Sequence, residues 1–170
     1  MNNSDQSPER QQLIAWLTDA HAMELSLAKV LENHRDDADD HPEIRQQDEK
    51  HLAETRRHAE QVERCLEILG AEKPSTMKNA MGTMMGKMQG AMSGPFGDEI
   101  MKNCLSDFAA EHMEIACYKS LIIAADELGE TEVSRICGEI LEEEEAMARW
   151  LEQHLPEVTR LSLHQAPAAR

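Results

Sequence analysis

A chain of 170 residues has room for one domain, 1–170, with a core large enough to support itself. Only 3% of the residues are aromatic, while alanine, leucine, glutamate, methionine and glutamine abound, which favours helix over strand. The formal net charge of -16 argues against nucleic acid and anionic membrane as partners.

The opening MNNSDQSPERQQ has no basic stretch leading into an apolar one, and no run of eighteen apolar residues occurs anywhere. A cytoplasmic chain without membrane spans is expected. Ser7-Pro8-Glu9 reads as a helix start, with Ser7 as the cap and Pro8 in the first helical position, opening a helix over about 8–34. Along it Leu13, Leu17, Ala20, Glu24, Leu27 and Leu31 step by four and three, so Glu24 stands where a core residue belongs. The charged break NHRDDADDH follows, from Asn33 to His41. Pro42 then opens a second helix, 42–69, that Gly70 ends. Its stripe is Thr55, Ala59, Val62, Leu66 and Leu69, with Glu54 at the edge beside His51 and His58.

Between Met77 and Gly94, six methionines (77, 81, 84, 85, 88 and 92) trace one helical face while Gly82, Gly86 and Gly90 recur every fourth residue on another. The segment reads as a short amphipathic helix over about 77–92 in a crossover between two helical hairpins. So apolar a face should not stay wet, and a homodimer is expected. A metal-binding or partner-binding methionine surface is the alternative use of the same segment.

Gly94-Pro95-Phe96-Gly97 breaks that helix, and a third long helix follows over 98–128. On it Cys104, Asp107, Glu111, Glu114, Tyr118, Leu121 and Ala125 share one face, placing two glutamates inside an apolar seam. Gly129 ends this helix and Thr131 caps the fourth, 131–154, with Pro156 just past its end and the remaining tail expected to fray. The fourth seam is Cys137, Ile140, Glu144, Met147 and Leu151, and Glu142, Glu143 and Glu145 compete with Glu144 if the register slips. The four cysteines lack CxxC spacing and are expected to be buried, reduced thiols.

Burying a carboxylate is costly unless a cation or partner charge compensates. Glu24 and Glu54 are thirty residues apart about Asp39, and Glu114 and Glu144 thirty apart about Gly129. If each pair of helices folds back at its midpoint, all four carboxylates reach one level, which is the plan of a di-metal bundle.

At LTDAHAMELSL around Glu24, HLAET at His51 to Thr55, EHMEIACY at Glu111 to Tyr118 and LEEEEA at Leu141 to Ala146, the chain resembles the YciE/YciF-type family of ferritin-like proteins linked to bacterial stress responses. More distantly it is similar to rubrerythrin. The resemblance implies an all-α, ferritin-like four-helix bundle of two antiparallel hairpins, a di-iron carboxylate site and often a homodimer. Carried over residue by residue, the ligands are Glu24, Glu54, Glu111, Glu114 and Glu144. The usual Glu-x-x-His pairs are missing, since Arg57 follows Glu54 and Met147 follows Glu144 by three residues. His58 is within reach of the site, whereas His51 and His112 are read as hydrogen-bonding neighbours and Tyr118 as a packed core residue. Two iron ions are therefore expected, with manganese as the alternative, reacting with peroxide or dioxygen. A non-enzymatic dimeric scaffold with a structural or lost metal is the rival reading.

Overall fold

The computed structural model describes residues 7–71 and 99–165. Four helices account for nearly all of them: α1 (Pro8–Asp37), α2 (Pro42–Ile68), α3 (Glu99–Glu127) and α4 (Thr131–Gln165). The expected crossover helix, 77–92, lies outside the described residues.

Local chemistry sets the helix ends. The Ser7 side chain accepts a hydrogen bond from the Arg10 amide at 3.2 Å, satisfying one of the free donors of the first turn, and Pro8 follows it. α2 and α3 end alike. Gly70 and Gly129 take φ of 66° and 72°, and the next residues, Ala71 and Glu130, donate back to the carbonyls of Leu66 and Ala125 at 3.0 and 2.8 Å. A side chain there would meet nothing, so the left-handed backbone rather than crowding calls for glycine.

α1 pairs with α2 and α3 with α4 as antiparallel hairpins, joined along the narrower α1–α3 and α2–α4 seams. The two hairpins are pinned at one end by Arg10, whose guanidinium donates to the Leu69 carbonyl at 2.8 Å and to Glu130 at 3.0 Å. Because the glycine-ended termini of α2 and α3 share that end, the two helices run parallel. α3 therefore starts at the end of the bundle opposite Gly70, the arrangement found in ferritin-like bundles. Among the described residues no helix is long and apolar enough to cross a membrane.

Two apolar clusters fill the bundle. One, at the Arg10 end, includes Leu13, Leu17, Leu66, Leu121, Val133 and Ile140; the other includes Met101, Cys104, Met147, Leu151 and Val158. Between them lies a band of buried charged and polar side chains. All four cysteines are free, and Cys117 alone is partly exposed rather than buried as expected.

Two helices run longer than their sequence signals suggest. α1 continues through the charged break to Asp37, because the ring of His34 is drawn inward to Asp107, with Nδ1 2.8 Å from the carboxylate. α4 passes through Pro156 and ends at Gln165 instead of 154. An interior proline removes a backbone hydrogen bond and crowds the preceding turn, a penalty of about 3 kcal/mol. Val158, 3% exposed, offsets it by joining Met101, Cys104 and Leu151 in the second cluster, with Ile44 packed against them.

If packing rather than propensity holds this last stretch, Val158→Ala should lower stability by about 1 to 3 kcal/mol. Leu163→Ala, at a position 70% exposed, should change it by less than about 0.5 kcal/mol. Denaturant melts of the two variants check this, and equal effects would mean the tail is not docked.

Candidate metal centre

Each helix delivers buried polar groups to the band between the apolar clusters. Glu24 on α1, Glu111 and Glu114 on α3 and Glu144 on α4 are all buried, as their places in apolar stripes predict. The register on α4 is settled by burial: Glu144 points inward, Glu142 is exposed, and Glu143 and Glu145 are half-buried at the rim. On α2 the inward groups are His51 and His58, continuing the seam of Thr55 and Val62 by steps of four and three. The Thr55 hydroxyl donates to the His51 carbonyl at 3.0 Å, so it needs no partner in the centre.

Two donor groups form. Glu24, His58 and Glu144 bring one atom each to within 4.8 Å of one another, and His51, Glu111 and Glu144 do the same. His58 Nδ1 is 2.8 Å from Glu144 Oε1 and 3.8 Å from Glu24 Oε2, and His51 Nε2 is 2.9 Å from Glu111 Oε1. Glu144 belongs to both groups and is placed to bridge them. Glu114, buried and near enough to Glu144, Glu24 and Glu111 to feel their charge, belongs to neither group itself.

The outer atoms of the same residues are held from behind. His58 Nε2 meets Glu143 at 2.6 Å, which turns Nδ1 toward the centre. The Tyr118 hydroxyl, fully buried, donates to Glu24 Oε1. Tyr118 therefore packs in the core as expected and also fixes one oxygen of a donor carboxylate.

Two sequence candidates join neither group, Glu114, which is buried next to them, and Glu54. The Glu54 carboxylate lies 3.1 Å from Lys50 Nζ and 3.6 Å from His51 Nδ1, on the outer side of that ring. The contact with His51, stronger than the opposing effect of burial, holds its pKa down to about 2. His51 occupies the place that sequence reasoning gave to Glu54. The signal was available, since His51, Thr55, His58 and Val62 form one unbroken stripe whereas Glu54 falls beside it. His112 faces outward, with Nδ1 2.8 Å from the Phe108 carbonyl.

Electrostatically the band is crowded with like charge. Burial and then repulsion from Glu144 push the Glu24 pKa up to about 8. Burial raises Glu111 to about 7 against the pull of His51, and burial with three neighbouring carboxylates sends Glu114 well above the usual range. For His51 and His58 burial acts downward, but the facing carboxylates outweigh it and raise both.

Several buried carboxylate oxygens have no hydrogen-bond partner among the described residues: Glu24 Oε2, Glu111 Oε2 and Glu144 Oε2. Orphaned buried carboxylate oxygens are rare and carry a large desolvation penalty. Cations among them would answer both the missing partners and the mutual repulsion. Carboxylate and imidazole donors together suit iron, manganese or zinc better than a soft, thiolate-seeking ion. The residues present therefore fit a two-metal site.

A crystal structure of a protein from Xanthomonas campestris pv. campestris superposes with a TM-score of 0.79 at 32% identity, covering 94% of this chain and 98% of that one. The Escherichia coli stress protein YciF matches with a TM-score of 0.77 at 22% identity over 91% and 99% of the two chains. Desulfovibrio desulfuricans bacterioferritin, whose structure was solved with its diiron site in different catalytic states, gives 0.75 at 21% identity over 95% and 87%. The last two similarities speak to the fold, and all three agree with a ferritin-like bundle. A family model described as a domain of unknown function, DUF892, matches residues 9–164. With that match spanning nearly the whole described bundle, the chain belongs to the DUF892 family.

Proposed function

We propose that this protein binds two ferrous ions between its four helices and lets them react with peroxide or dioxygen. The observation that supports it most is the pair of buried donor groups sharing Glu144. His58 and Glu24 would hold one ion, His51 and Glu111 the other, with Glu144 and Glu114 between them. When bound, such a pair of ions supplies two-electron redox chemistry to a small oxidant. The protein's own part is to hold the donors and keep the site dry. Glu143 and Glu54 steady the two imidazoles, Tyr118 keeps Glu24 turned, and the two apolar clusters exclude water above and below. A groove of about 460 Å³ between α1 and α3, lined by Trp16, Met23, Met113 and Cys117, lies on the Glu24 side and is wide enough for a small oxidant to approach.

Manganese is the alternative occupant, because the donor set is richer in carboxylate than in imidazole. The name of the E. coli relative brings a stress role into the same proposal. A cytoplasmic homodimer completes it, and a light-scattering mass near twice the 19.2 kDa of the chain would support the dimer.

Anaerobic loading with ferrous ion should bind about two equivalents and raise the melting temperature by roughly 5 to 10 °C at about 100-fold excess over Kd. The double substitution Glu24→Leu, Glu114→Leu should remove that gain while making the metal-free protein more stable, by about 1 to 4 kcal/mol, since two buried acids become ordinary core residues. An unchanged metal response in the double variant would sink the site. Loading without consumption of added peroxide or dioxygen would leave a structural metal in a non-enzymatic bundle.

The metal-free protein should also lose stability as pH rises. Glu24 and Glu111 titrate at about 8 and 7 in the fold against an ordinary 4.5, so the native chain holds more protons than the unfolded one between those values. Stability from these groups is full below 4.5 and drains away as pH climbs to about 8. The raised values of His51 and His58 act in the same direction. Glu54, held at about 2, opposes them only below 4.5. Melting temperatures of metal-free protein should therefore be higher at pH 5 than at pH 8, and the gain from metal should grow with pH as the ligands deprotonate. A flat profile would show that burial and mutual repulsion do not raise these carboxylates in the folded chain.

A further inference from the structure

Beyond the metal donors, toward the Arg10 end, α2 and α4 bring two cysteines face to face. The register comes from His58 and Glu144, whose Nδ1 and Oε1 are 2.8 Å apart across the α2–α4 seam. The helices are antiparallel, so advancing from 58 to 65 on α2 and retreating from 144 to 137 on α4 arrives at Cys65 opposite Cys137. Seven residues make two turns, which returns both side chains to the same inward face about 10 Å along the bundle axis. Both cysteines are wholly buried, both are free, and both belong to one apolar cluster with Val62, Leu66 and Ile140. Their thiols are close enough to interact: a hydrogen bond with Cys65, followed by burial, raises the pKa of Cys137. Cys104 belongs to the opposite cluster and Cys117 lines the α1–α3 groove, so neither has a thiol facing it in this way.

The geometry points to Cys65 and Cys137 as an internal dithiol that a hydroperoxide oxidises to a disulfide, covalently joining the two hairpins. One sulfur gives up its proton and attacks a peroxide oxygen as the thiolate; the O–O bond breaks, and the departing hydroxide takes up that proton as water. The sulfur is then a sulfenic acid. The second thiol sulfur attacks it, the S–S bond forms, the S–O bond breaks, and a second water carries off the second thiol proton. Each sulfur gives up one electron and the peroxide gains two. The bond would tie α2 to α4 along one of the two narrow seams between hairpins, and it would close a long loop of chain, the situation in which a cross-link most restricts the unfolded state.

The inference shares its class of oxidant with the proposed function but needs no metal, and the experiment separates the two. Metal-free folded protein is treated with hydrogen peroxide, quenched and denatured, and its thiols are counted. The count should fall from four to two, peptide mapping should find Cys65 linked to Cys137, dithiothreitol should restore all four thiols, and the oxidised protein should melt at a higher temperature. Cys65→Ala and Cys137→Ala should each abolish the linked peptide and the rise in melting temperature. The measurement on the unsubstituted chain stands even if a variant folds poorly. Four thiols surviving a dose that oxidises free cysteine in the same buffer would overturn the inference, as would thiol loss that maps to Cys104 or Cys117. A disulfide formed in a protein that takes up no ferrous ion would uphold it while defeating the metal reading.

Discussion

Four carboxylates and two imidazoles packed between apolar layers, with several of the carboxylate oxygens lacking a hydrogen-bond partner among the described residues, impose the governing constraint on this bundle. Leucines at the same positions would give a more stable helical core, because buried ionic groups seldom repay their desolvation against well-packed apolar side chains. The sequence keeps glutamates at Glu24, Glu111, Glu114 and Glu144, more acids than His51 and His58 can balance, and surrounds them with groups that orient them. Glu143 behind His58 and Tyr118 behind Glu24 hold the donors in place while leaving their inner atoms free. That is the arrangement of a site built to receive positive charge from outside the chain.

The same band extends one turn further from Arg10 in a different form. His34 and Asp107 form a closed pair, with Nδ1 between both carboxylate oxygens at 2.8 and 3.1 Å. Nearby Asp48 is buried, and burial with repulsion from Asp107 raises its pKa to about 7. Here the polar groups mostly satisfy one another, so the layer passes from open donors to paired charges before the second apolar cluster begins. The contrast helps to distinguish a binding centre from a buried ion pair within the same set of helices.

Much of this was legible in the sequence because a charge inside an apolar helical stripe is a strong signal. Glu24, Glu111, Glu114 and Glu144 interrupt clean four-three patterns, and all four are buried at the expected level. The equal thirty-residue spacings carried the hairpin geometry as well. α2 was harder to read. Its stripe begins with histidines, which can be core, surface or ligand, and the nearby Glu54 fitted the spacing argument better than it fits the seam. The helix extensions past His34 and Pro156 were illegible for another reason: both depend on partners distant in the chain, Asp107 for one and Met101 and Cys104 for the other. Local propensity says stop at each place, and tertiary packing overrides it.

Arg10 gives the arrangement a further property. One guanidinium reads the last carbonyl turn of α2 and the first residue beyond the glycine that ends α3, so the axial offset between the two hairpins is gauged at a single side chain. Glu24 lies about 20 Å down the axis from that gauge at 1.5 Å per residue. The donor atoms that face each other across hairpins do so at 2.8 and 2.9 Å, so a slip of even one residue's rise would alter both contacts. The spacing of the carboxylate layer is thus measured from the far end of the molecule, by a residue that touches no donor and would be invisible to any survey limited to the centre.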